Sequence, residues 1–387
     1  MDKYRVAILT TSDYPYWGAG ENFTREMALG LKQNNVNVEV VRFWGDRYSN
    51  VNDTTIVCSE YLFRKPARNE IMKIVELICQ VLYIPVFILF LKFIKKQQIL
   101  IINGLETAYF CLPLIVFSKI FRLKCYRIIT EIFPENAVAA YWWRKPILIF
   151  YRMQLKRLDK YMNGVIVLSK YLSELCLSNG VKNEKIILIP NFIDLEKIKS
   201  PGIPENFRIC FCGTASVENG VLDLLSAFKI ISSKVPEAEL IIIGEMDSSI
   251  SGIIDREGHR SEKVIFTGQL SRKEVFEQYS KCHVLVNPRR RSILAESGFP
   301  SKIGEYFSTC KPVVSTKVGD LIYYFTDKKE LIFSDPDCSE SLAESILFTY
   351  RNTEKAKEIG LNGFEWAQEN LNSVKNGKKL VDFFTTT

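Results

Sequence analysis

Histidine is nearly absent from this chain: only two occur among 387 residues, and neither comes before His259. The first half therefore offers no histidine as a general base. Ten cysteines are spread along the chain, and the one close pair is Cys210 and Cys212. No second pair or nearby histidine completes a zinc pattern, so we predict no metal site and reduced thiols in a cytosolic protein.

Long runs of like charge and apolar runs long enough to span a membrane are also missing. The net charge of +7 is modest and no run of five or more like charges forms a nucleic-acid tail, so we predict no nucleic-acid partner. Residues Met1–Thr10 enter a predicted strand at once and leave no room for a signal peptide. The most apolar run, Leu77–Leu91, is shorter than the ~20 residues that span a bilayer.

The region from Lys92 to Lys160 mixes basic residues with apolar and aromatic ones. This mixture recurs in the segments Lys92–Lys96, Lys119–Lys124, Trp142–Lys145 and Arg152–Arg157. It suits an anionic membrane surface better than DNA, although a solvated basic surface has the same composition. We therefore predict that residues about 71–160 contact the inner membrane surface.

Three structures are compatible with Leu77–Leu91: an interfacial helix dipping into lipid, which we favour, a buried helix of the domain, and a true membrane span. The run contains Gln80 and Pro85 and is closed by Lys92. The segment Leu105–Phe121 is a second candidate for the same interfacial role.

Strand-like runs alternate with segments long enough for helices, which predicts an α/β protein with parallel sheets. The predicted strands of the first half are Tyr4–Thr11, Val36–Phe43, Ile99–Asn103, Cys125–Thr130, Val165–Leu168 and Ile186–Ile189. Those of the second half are Arg208–Cys212, Glu239–Ile243, Lys263–Phe266, His283–Asn287, Pro312–Thr316 and Glu330–Phe333. Proline and glycine between Pro190 and Pro204 mark a linker between the halves.

Polar and flexible turns follow the first four predicted strands of the second half. They begin at Gly213, Gly244, Gly268 and Pro288. Because the carboxyl ends of parallel strands meet at one edge of a sheet, we predict a ligand site there.

Cations and carboxylates are found in the same region: Arg289, Arg290, Arg291 and Lys302, with Glu296 and Glu305. Cations and amides suit a phosphate and carboxylates suit sugar hydroxyls, so a nucleotide-sugar fits both; an exposed loop is the alternative for the arginines.

The centre of this prediction is the stretch Ser297–Glu305, which leads into a short helix starting near Pro300 and Ser301. Its apolar residues are spaced to pack inward: Ile303, Phe307 and Cys310. Ser301 and Glu305 share another face, and the helix start offers backbone N–H groups to a diphosphate. A plain surface helix with a Lys302–Glu305 pair is the alternative.

Two loops of the first half carry weaker signals. Gly18 and Gly20 allow a close approach of backbone to a ligand, but a third glycine and an acidic residue after the second strand are missing, so we predict no nicotinamide or flavin site. Glu131 and Glu135 follow the strand Cys125–Thr130 and either act on an acceptor hydroxyl or cap the next helix.

Three motifs resemble the family 4 (group 1) retaining glycosyltransferases of GT-B fold. They are Gly213-x6-Gly220 before a leucine-rich helix, Ile189-Pro-Asn-Phe-Ile-Asp194, and Gly298-Phe-Pro-Ser-Lys-x-x-Glu305 followed by Lys311-Pro-Val-Val-Ser. The resemblance covers essentially the whole chain. It implies two Rossmann-like domains facing across a cleft: an acceptor domain (1–195), a nucleotide-sugar donor domain (205–362), and a C-terminal helical segment (363–387) that crosses back to the first.

Carried over residue by residue, the resemblance implies that Glu305 holds the donor ribose and that the Gly298–Lys302 segment approaches the diphosphate and the sugar. The chain departs from the family pattern at Ser297, where a glutamate is usual, although Glu296 is adjacent. Thr214 and Asn219 stand where the family commonly has cations, and the usual first-domain histidine is missing. We therefore predict that the three arginines and Lys302 supply the positive charge.

The predicted site residues form three groups. Those predicted as catalytic are Glu305, Lys302, Glu296 and Arg290. Those predicted to bind the donor are Gly18, Gly20, Gly213, Thr214, Asn219, Gly244, Gly268, Arg289, Ser297, Gly298, Phe299, Pro300, Ser301 and Glu305. Glu131 and Glu135 are predicted on the acceptor side.

The resemblance implies a metal-independent hexosyltransferase without a cofactor, moving a sugar from a nucleoside-diphosphate sugar to a lipid-linked or glycan acceptor. We expect it to serve bacterial-type O-antigen or capsule assembly, in the cytoplasm and peripheral on the inner face of the plasma membrane. A non-catalytic glycosyltransferase-like binding subunit and a nucleotide-sugar epimerase are the alternatives.

Overall fold

The computed structural model describes residues 4–10, 19–42, 57–58, 70–132, 145–195, 205–259 and 261–387. The chain divides into two compact units. Unit 1 comprises Met1–Phe192 with Ser373–Thr387, and unit 2 comprises Ile193–Asn372.

Unit 1 is built on a seven-stranded parallel sheet with the order β3-β2-β1-β4-β5-β6-β7. Its strands are β1 (Tyr4–Thr10), β2 (Val36–Arg42), β3 (Val57–Cys58), β4 (Ile99–Asn103), β5 (Lys124–Ile129), β6 (Gly164–Val167) and β7 (Ile186–Leu188). Its α-helices are α1 (Ala19–Gln33), α2 (Glu70–Leu89), α3 (Cys111–Ile120), α4 (Lys145–Met153), α5 (Lys170–Ser178) and, at the end of the chain, α14 (Ser373–Thr386). Short 3₁₀ or π turns are Phe90–Ile94, Leu105–Phe110, Gln154–Leu158, Asp159–Tyr161 and Asn183–Lys185.

Unit 2 has a six-stranded parallel sheet with the order β10-β9-β8-β11-β12-β13. Its strands are β8 (Arg208–Cys212), β9 (Glu239–Ile243), β10 (Val264–Gly268), β11 (Val284–Asn287), β12 (Val313–Thr316) and β13 (Ile332–Ser334). Its helices are α6 (Val221–Lys234), α7 (Ser248–Arg256), α8 (Arg272–Ser280), α9 (Ile293–Ser297), α10 (Ser301–Phe307), α11 (Leu321–Tyr324), α12 (Ser339–Arg351) and α13 (Thr353–Asn370).

The predicted parallel α/β architecture is confirmed in both units. Parallel strands are covered on both faces, so they read as nearly continuous apolar runs, and all five residues of β4 are buried. Each predicted strand is found within two residues at either end. The two-residue strand β3 escaped prediction, because it pairs only at Glu39 and Val40 of β2 and has no periodicity to detect.

Both strand orders reverse direction once, between β1 and β4 in unit 1 and between β8 and β11 in unit 2. Neighbouring crossovers leave on opposite sides of the sheet at such a point, which opens a crevice at the carboxyl ends of the two strands. In unit 2 this crevice lies where Gly213 and Pro288 begin their loops. The ligand edge predicted from the sequence is therefore the switch point of this sheet.

The last helix, α14, packs within unit 1 against α1 at a contact between backbones. A Cβ atom added to Gly30 would lie 2.0 Å from the Ser373 carbonyl oxygen, and one added to Gly377 would lie 2.4 Å from the Gly30 carbonyl carbon. Only glycine permits this approach. The tail predicted to return from residue 363 stays in unit 2 as far as Asn372, because α13 runs on to Asn370.

The apolar run Leu77–Leu91 lies in α2, which continues through Pro85 into the π turn Phe90–Ile94. One face of this helix belongs to the core of unit 1, through Ile84, Phe87, Ile88 and Leu91. The buried-helix interpretation is correct for that face, and the opposite face is exposed. Within the described ranges, none of the helices combines the length and apolar character needed to cross a membrane.

Candidate functional site

The loops after β8 and β11 touch each other at the switch point of unit 2. Gly220 has φ +72°, and a Cβ atom placed on it would lie 1.8 Å from the carbonyl oxygen of Pro288. Any other residue at position 220 would push the two loops apart. Both glycines of the Gly213-x6-Gly220 motif have positive φ, since Gly213 has φ +139°.

Backbone hydrogen bonds hold the neighbouring strand ends together. The Gly213 N–H donates to the Ile243 carbonyl at 2.8 Å, and the Gly244 N–H donates to the Gly268 carbonyl at 2.9 Å. A Cβ atom on Gly244 would lie 2.3 Å from the Gly213 oxygen. Three of the predicted donor-site glycines, Gly213, Gly244 and Gly268, therefore lie together at the carboxyl ends of β8, β9 and β10. We call this hydrogen-bonded surface of main-chain atoms the backbone floor.

The two residues that replace the usual cations of this loop are uncharged and have structural contacts or face solvent. The Asn219 side-chain amide donates to the Thr214 carbonyl at 2.8 Å, and the Asn219 N–H donates to the Ser216 hydroxyl at 3.2 Å. Thr214 is exposed. Positive charge at this edge must therefore come from another element.

Lys302 brings positive charge to the loop after β8. Its ammonium lies 4.3 Å from the centre of the Phe211 ring, a cation–π contact. It is also 2.9 Å from where a Cβ atom on Gly213 would stand. Burial lowers the pKa of Lys302 from 10.5 to about 8; Cys212 and Glu305 oppose this effect, whereas the charge of Arg289 adds to it. The Lys302 ammonium therefore lies in space that a side chain at position 213 would occupy.

Tyr306, which the sequence analysis did not single out, fixes the helix that carries Lys302 and Glu305. The Cys212 N–H donates to its hydroxyl at 2.9 Å, and the hydroxyl donates to the Val286 carbonyl at 3.4 Å. Burial raises the pKa of the phenol, which therefore remains protonated and able to donate. The signal in the sequence was its position three residues after Ile303, on the buried face of α10.

The three consecutive arginines have different surroundings. Arg290 Nε lies 2.8 Å from Asp223 and 3.1 Å from Asp337. Arg291 is largely exposed, and its Nε lies 3.8 Å from Glu296. Arg289 accepts a 2.6 Å hydrogen bond from the Thr316 hydroxyl at its backbone carbonyl. The interpretation as one exposed arginine loop is therefore wrong for Arg290, which is held by two carboxylates.

Much of the Ser297–Glu305 stretch is packed inside unit 2. Ser297, Gly298, Phe299 and Pro300 are buried, and the Phe299 ring contacts Tyr324 with 5.9 Å between centroids. Ser301, Lys302 and Glu305 remain half-exposed. Ile303 and Phe307 pack inward as predicted. Cys310 was predicted to do the same but is half-buried, because α10 ends at Phe307.

Glu296 is tied to the loop after β12. One of its carboxylate oxygens accepts the Gly319 N–H at 3.0 Å. Gly319 has φ +56°, and a Cβ atom there would lie 2.5 Å from the Ala295 carbonyl. Glu296 and Arg290, both predicted as catalytic, therefore make their contacts with other protein groups of unit 2.

The predicted residues of unit 1 lie partly outside the described ranges, which exclude Gly18 and Glu135. Gly20 lies in the first turn of α1, where its carbonyl accepts the Thr24 hydroxyl at 2.9 Å. The Glu131 carbonyl accepts the Tyr151 hydroxyl at 2.9 Å. In the described part of the chain, no group of three or more histidine, cysteine, aspartate or glutamate residues is placed to hold a metal ion.

Residues 206–352 match the family "Glycosyl transferases group 1". An uncharacterized glycosyltransferase of Methanocaldococcus jannaschii is 28% identical over 205 residues, 53% of this chain and 54% of that protein. The capsular polysaccharide biosynthesis glycosyltransferase CapM of Staphylococcus aureus is 25% identical over 213 residues, 54% of this chain and 53% of CapM. The chain thus spans about half the length of the curated relatives it matches.

Solved structures match over nearly the full length. Anabaena HepE, solved in complex with UDP and glucose, has a TM-score of 0.75 at 16% identity and covers 99% of this chain and 100% of its own. Sucrose-phosphate synthase from Thermosynechococcus elongatus has a TM-score of 0.76 at 16% identity and covers 100% of both chains. The chain therefore has the two-unit α/β fold of the GT-B glycosyltransferases, and residues 206–352 of its unit 2 are similar to the group 1 family.

Proposed function

We propose that this chain is a retaining, metal-independent glycosyltransferase that takes a hexose from a nucleoside-diphosphate sugar. The observation that carries this proposal is the position of Lys302 over Phe211 and against Gly213, at the carboxyl ends of β8 and β11. Its ammonium is partly withdrawn from water, so it gains from an anion more than an exposed lysine does. A diphosphate is the anion that the backbone floor and this charge suit.

The proposed roles follow from the chemistry of each group. Lys302, with Arg289 near enough to affect its pKa, stabilises the negative charge that grows on the departing diphosphate. The Glu305 carboxylate, one turn after Ser301 on α10, accepts hydrogen bonds from ribose hydroxyls. The leaving phosphate takes the proton of the acceptor hydroxyl, and Glu131 and Glu135 are the acceptor-side carboxylates.

The relatives support the class of donor and of product. The HepE structures hold UDP, UDP with glucose, or UDP-glucose, and CapM is named for capsular polysaccharide biosynthesis. We propose by analogy that the donor is a nucleoside-diphosphate hexose and the acceptor a lipid-linked or glycan chain of an O-antigen or capsule.

A thermal-shift screen of nucleoside diphosphates and their sugars tests the donor proposal. A ligand at one hundred times its dissociation constant stabilises the folded state by about 2.7 kcal/mol. We expect stabilisation in the wild type and its loss in Lys302→Ala. Lys273→Ala is the matched control, because the Lys273 side chain is 87% exposed on α8 and lies 4.0 Å from Glu277. A folded wild type that no nucleotide stabilises would contradict the proposal, and nucleotide binding without turnover would favour a binding subunit.

We also propose that unit 1 lies on the cytoplasmic, anionic face of the plasma membrane. From Ile78 to Ile94, α2 and the turn after it are apolar on the outer face as well as on the buried face. On the outer face, Leu82 is 70% exposed and Phe93 is 62% exposed. The core of unit 1 covers only one apolar face of such a helix, so the other apolar face needs a second apolar environment. Such a helix, lying in the plane of a bilayer surface, buries its outer face in the lipid.

The second helix of the proposed membrane face is α3. Leu112, Val116 and Ile120 are exposed at four-residue spacing on one side of it. Of the 23 large hydrophobic residues exposed in the described ranges, 14 lie between Ile78 and Tyr161. Basic groups lie in the same region: the Lys119 and Lys160 ammonium groups are 5.2 and 5.4 Å from the Tyr161 ring centre. Apolar area beside cations matches an anionic lipid surface.

Vesicle flotation tests the membrane proposal. We expect the wild type to bind phosphatidylcholine vesicles that contain phosphatidylglycerol and to bind pure phosphatidylcholine more weakly. The double variant Leu82→Ser, Phe93→Ser should bind at least about tenfold more weakly, because burying one such side chain is worth about 1.5–3 kcal/mol. The control Leu177→Ser, Leu361→Ser changes two exposed leucines on α5 and α13. Equal flotation of the two double variants would rule out this face.

A further inference from the structure

The basic segments of unit 1 differ in how far their charges are already used inside the protein. In the turn after α2, Lys92 donates to the Arg122 carbonyl at 3.0 Å. Lys95 lies 2.9 Å from the carboxylate of Glu39, a residue that is 6% exposed. The ammonium groups of these two lysines therefore have partners in the fold.

Five other cations of unit 1 have no such partners, and we call them the basic cluster. They are Lys119, Arg122, Lys156, Arg157 and Lys160, and all five are exposed. Within the described ranges, none of their side chains forms an ion pair or a hydrogen bond. Asp159, the acidic residue of this stretch, is buried against Arg127 and does not neutralise the cluster.

The ring of Tyr161 brings two parts of the basic cluster together. The ammonium of Lys119, in the last turn of α3, lies 5.2 Å from the ring centre, and that of Lys160 lies 5.4 Å from it. Tyr161 itself is 51% exposed. Two like charges from different elements therefore share one accessible ring, and an anion bound beside them would relieve their repulsion.

Several exposed lysines of unit 2 are arranged differently. Lys317 lies 3.0 Å from Asp335, and Lys355 lies 2.7 Å from Glu358. This is the pattern of an ordinary solvated surface, in which acids are interspersed among the bases. The basic cluster lacks such acids in the described ranges, so its positive field acts on an external anion.

Apolar side chains border the basic cluster. Ile120, at the end of α3, is 60% exposed, and Phe93 of the turn after α2 is 62% exposed. The Phe93 and Phe121 rings are in contact, with 6.3 Å between their centroids. The hydrogen bond from Lys92 to Arg122 joins the same two elements. A free anion would use the cations alone, whereas a lipid offers a charged headgroup and acyl chains for both kinds of surface.

We propose that the basic cluster, together with Tyr161, binds the phosphate groups of anionic lipids. This inference rests on the proposed membrane location of unit 1 and adds to it the groups that recognise the lipid. Lysine and arginine stems lie along apolar surface while their charges reach the headgroups, and tyrosine is enriched at the same depth. Each basic residue near an anionic surface raises the binding constant by about fivefold, so the cluster makes binding depend on lipid charge.

Vesicle flotation tests the cluster with the double variant Lys119→Gln, Lys160→Gln. We expect it to bind vesicles containing phosphatidylglycerol about tenfold or more weakly than the wild type, and pure phosphatidylcholine vesicles equally well. The control Lys182→Gln, Lys273→Gln removes two exposed charges that have carboxylates at 3.8 and 4.0 Å. It should stay within about threefold of the wild type. An undiminished preference for phosphatidylglycerol in the first variant, or an equal loss in the control, would overturn the site.

A second measurement separates the site from the membrane location. Lysines carrying ¹³C-methyl groups are followed by NMR while dihexanoylphosphatidylglycerol is added as a soluble monomer. The Lys119 and Lys160 signals are identified by the single glutamine variants. We expect both signals to shift, the Lys273 signal to stay, and inorganic phosphate at the same concentration to shift them less, because it has no acyl chains to contact Ile120.

Each other result decides between the two proposals. Equal shifts with phosphate and with the lipid would assign the cluster to free anions and overturn lipid recognition. Lipid-induced shifts in a protein that floats with neither kind of vesicle would contradict the proposed membrane location and leave headgroup recognition intact. Flotation without any shift of the Lys119 and Lys160 signals would overturn the headgroup site and leave the membrane location intact.

Discussion

Two cationic side chains, Arg127 of unit 1 and Lys302 of unit 2, are withdrawn from water in different ways. Arg127 on β5 is 3% exposed and lies 2.5 Å from Asp159, which is 1% exposed. Its guanidinium also lies 5.3 Å from the Tyr151 ring centre. Lys302 has an aromatic ring beneath it and stands at a strand end. The first cation is compensated by a carboxylate inside the protein, and the second lies over Phe211 at the strand end where we propose the diphosphate site.

The pKa directions express the same difference. Burial would lower the pKa of the Arg127 guanidinium, but Asp159 and Tyr151 raise it above its ordinary value. Burial dominates for Lys302 and leaves its pKa near 8. Breaking a buried ion pair costs much stability, but the pair itself is weak evidence of function. A desolvated lysine at a strand end is a better functional candidate, because an anion bound there would stabilise its charge.

The largest expected effect is on stability, in unit 1. Arg127→Met leaves the Asp159 carboxylate buried without its partner, which we expect to lower the free energy of unfolding by about 3–5 kcal/mol. Urea denaturation followed by far-UV circular dichroism measures this. Arg351→Met is the control, since the exposed Arg351–Glu344 pair at 3.1 Å should contribute less than about 1 kcal/mol. Equal losses in the two variants would show that Arg127 contributes no more to the free energy of unfolding than a surface arginine does.

Gly213→Ala tests the other side of the comparison. The new Cβ atom would meet the Lys302 ammonium, and φ of +139° strains any side chain. We expect nucleotide affinity to fall by about tenfold or more, with a stability loss of about 1–3 kcal/mol. Gly252→Ala on α7 is the matched control, because a Cβ atom there meets nothing within 4 Å. Wild-type nucleotide affinity in Gly213→Ala would mean that the place of Lys302 is unimportant.

The difference between the two cations also shows how far sequence reasoning reaches. The strands were predictable because parallel strands are apolar throughout, and Gly213 and Lys302 followed from loops at carboxyl ends. The partners were not predictable. Asp223 and Asp337 are far from Arg290 in sequence, and only the folded sheet brings them to it. Charge type can be read from a sequence, but whether a charge is already compensated depends on such distant contacts.

A smaller effect is expected in the pH dependence of nucleotide binding. In the proposed function the ammonium form of Lys302 binds the diphosphate, and with a pKa near 8 that form is lost as the pH rises through this value. The affinity for UDP should therefore fall by about tenfold between pH 7 and pH 9. Calorimetry at both pH values measures this, and Lys302→Arg, which stays charged, should bind with little pH dependence. The same pH dependence in both proteins would assign it to another group.

His283 provides the mildest test, because it is a titratable group of unit 2 whose structural task requires the neutral form. Its Nδ1 accepts the backbone N–H of Arg208 at 3.0 Å, so it must be unprotonated. Burial, followed by the charges of Lys311 and Arg208, lowers its pKa from 6.5 to about 4. Between these values the unfolded chain binds more protons than the folded one, so the free energy of unfolding falls as the pH falls.

Because the His283 ring is only half-buried, solvent screening reduces the expected loss to about 1 kcal/mol between pH 6.5 and pH 4. Urea titrations of wild type and His283→Asn, which keeps a side-chain acceptor but cannot be protonated, measure the difference between their slopes. The variant should lose less stability than the wild type over this range and match its pH dependence above pH 7. Identical slopes would show that His283 binds its proton at the same pH in the folded and the unfolded chain, and that the hydrogen bond from Arg208 does not control its charge as Asp159 controls that of Arg127.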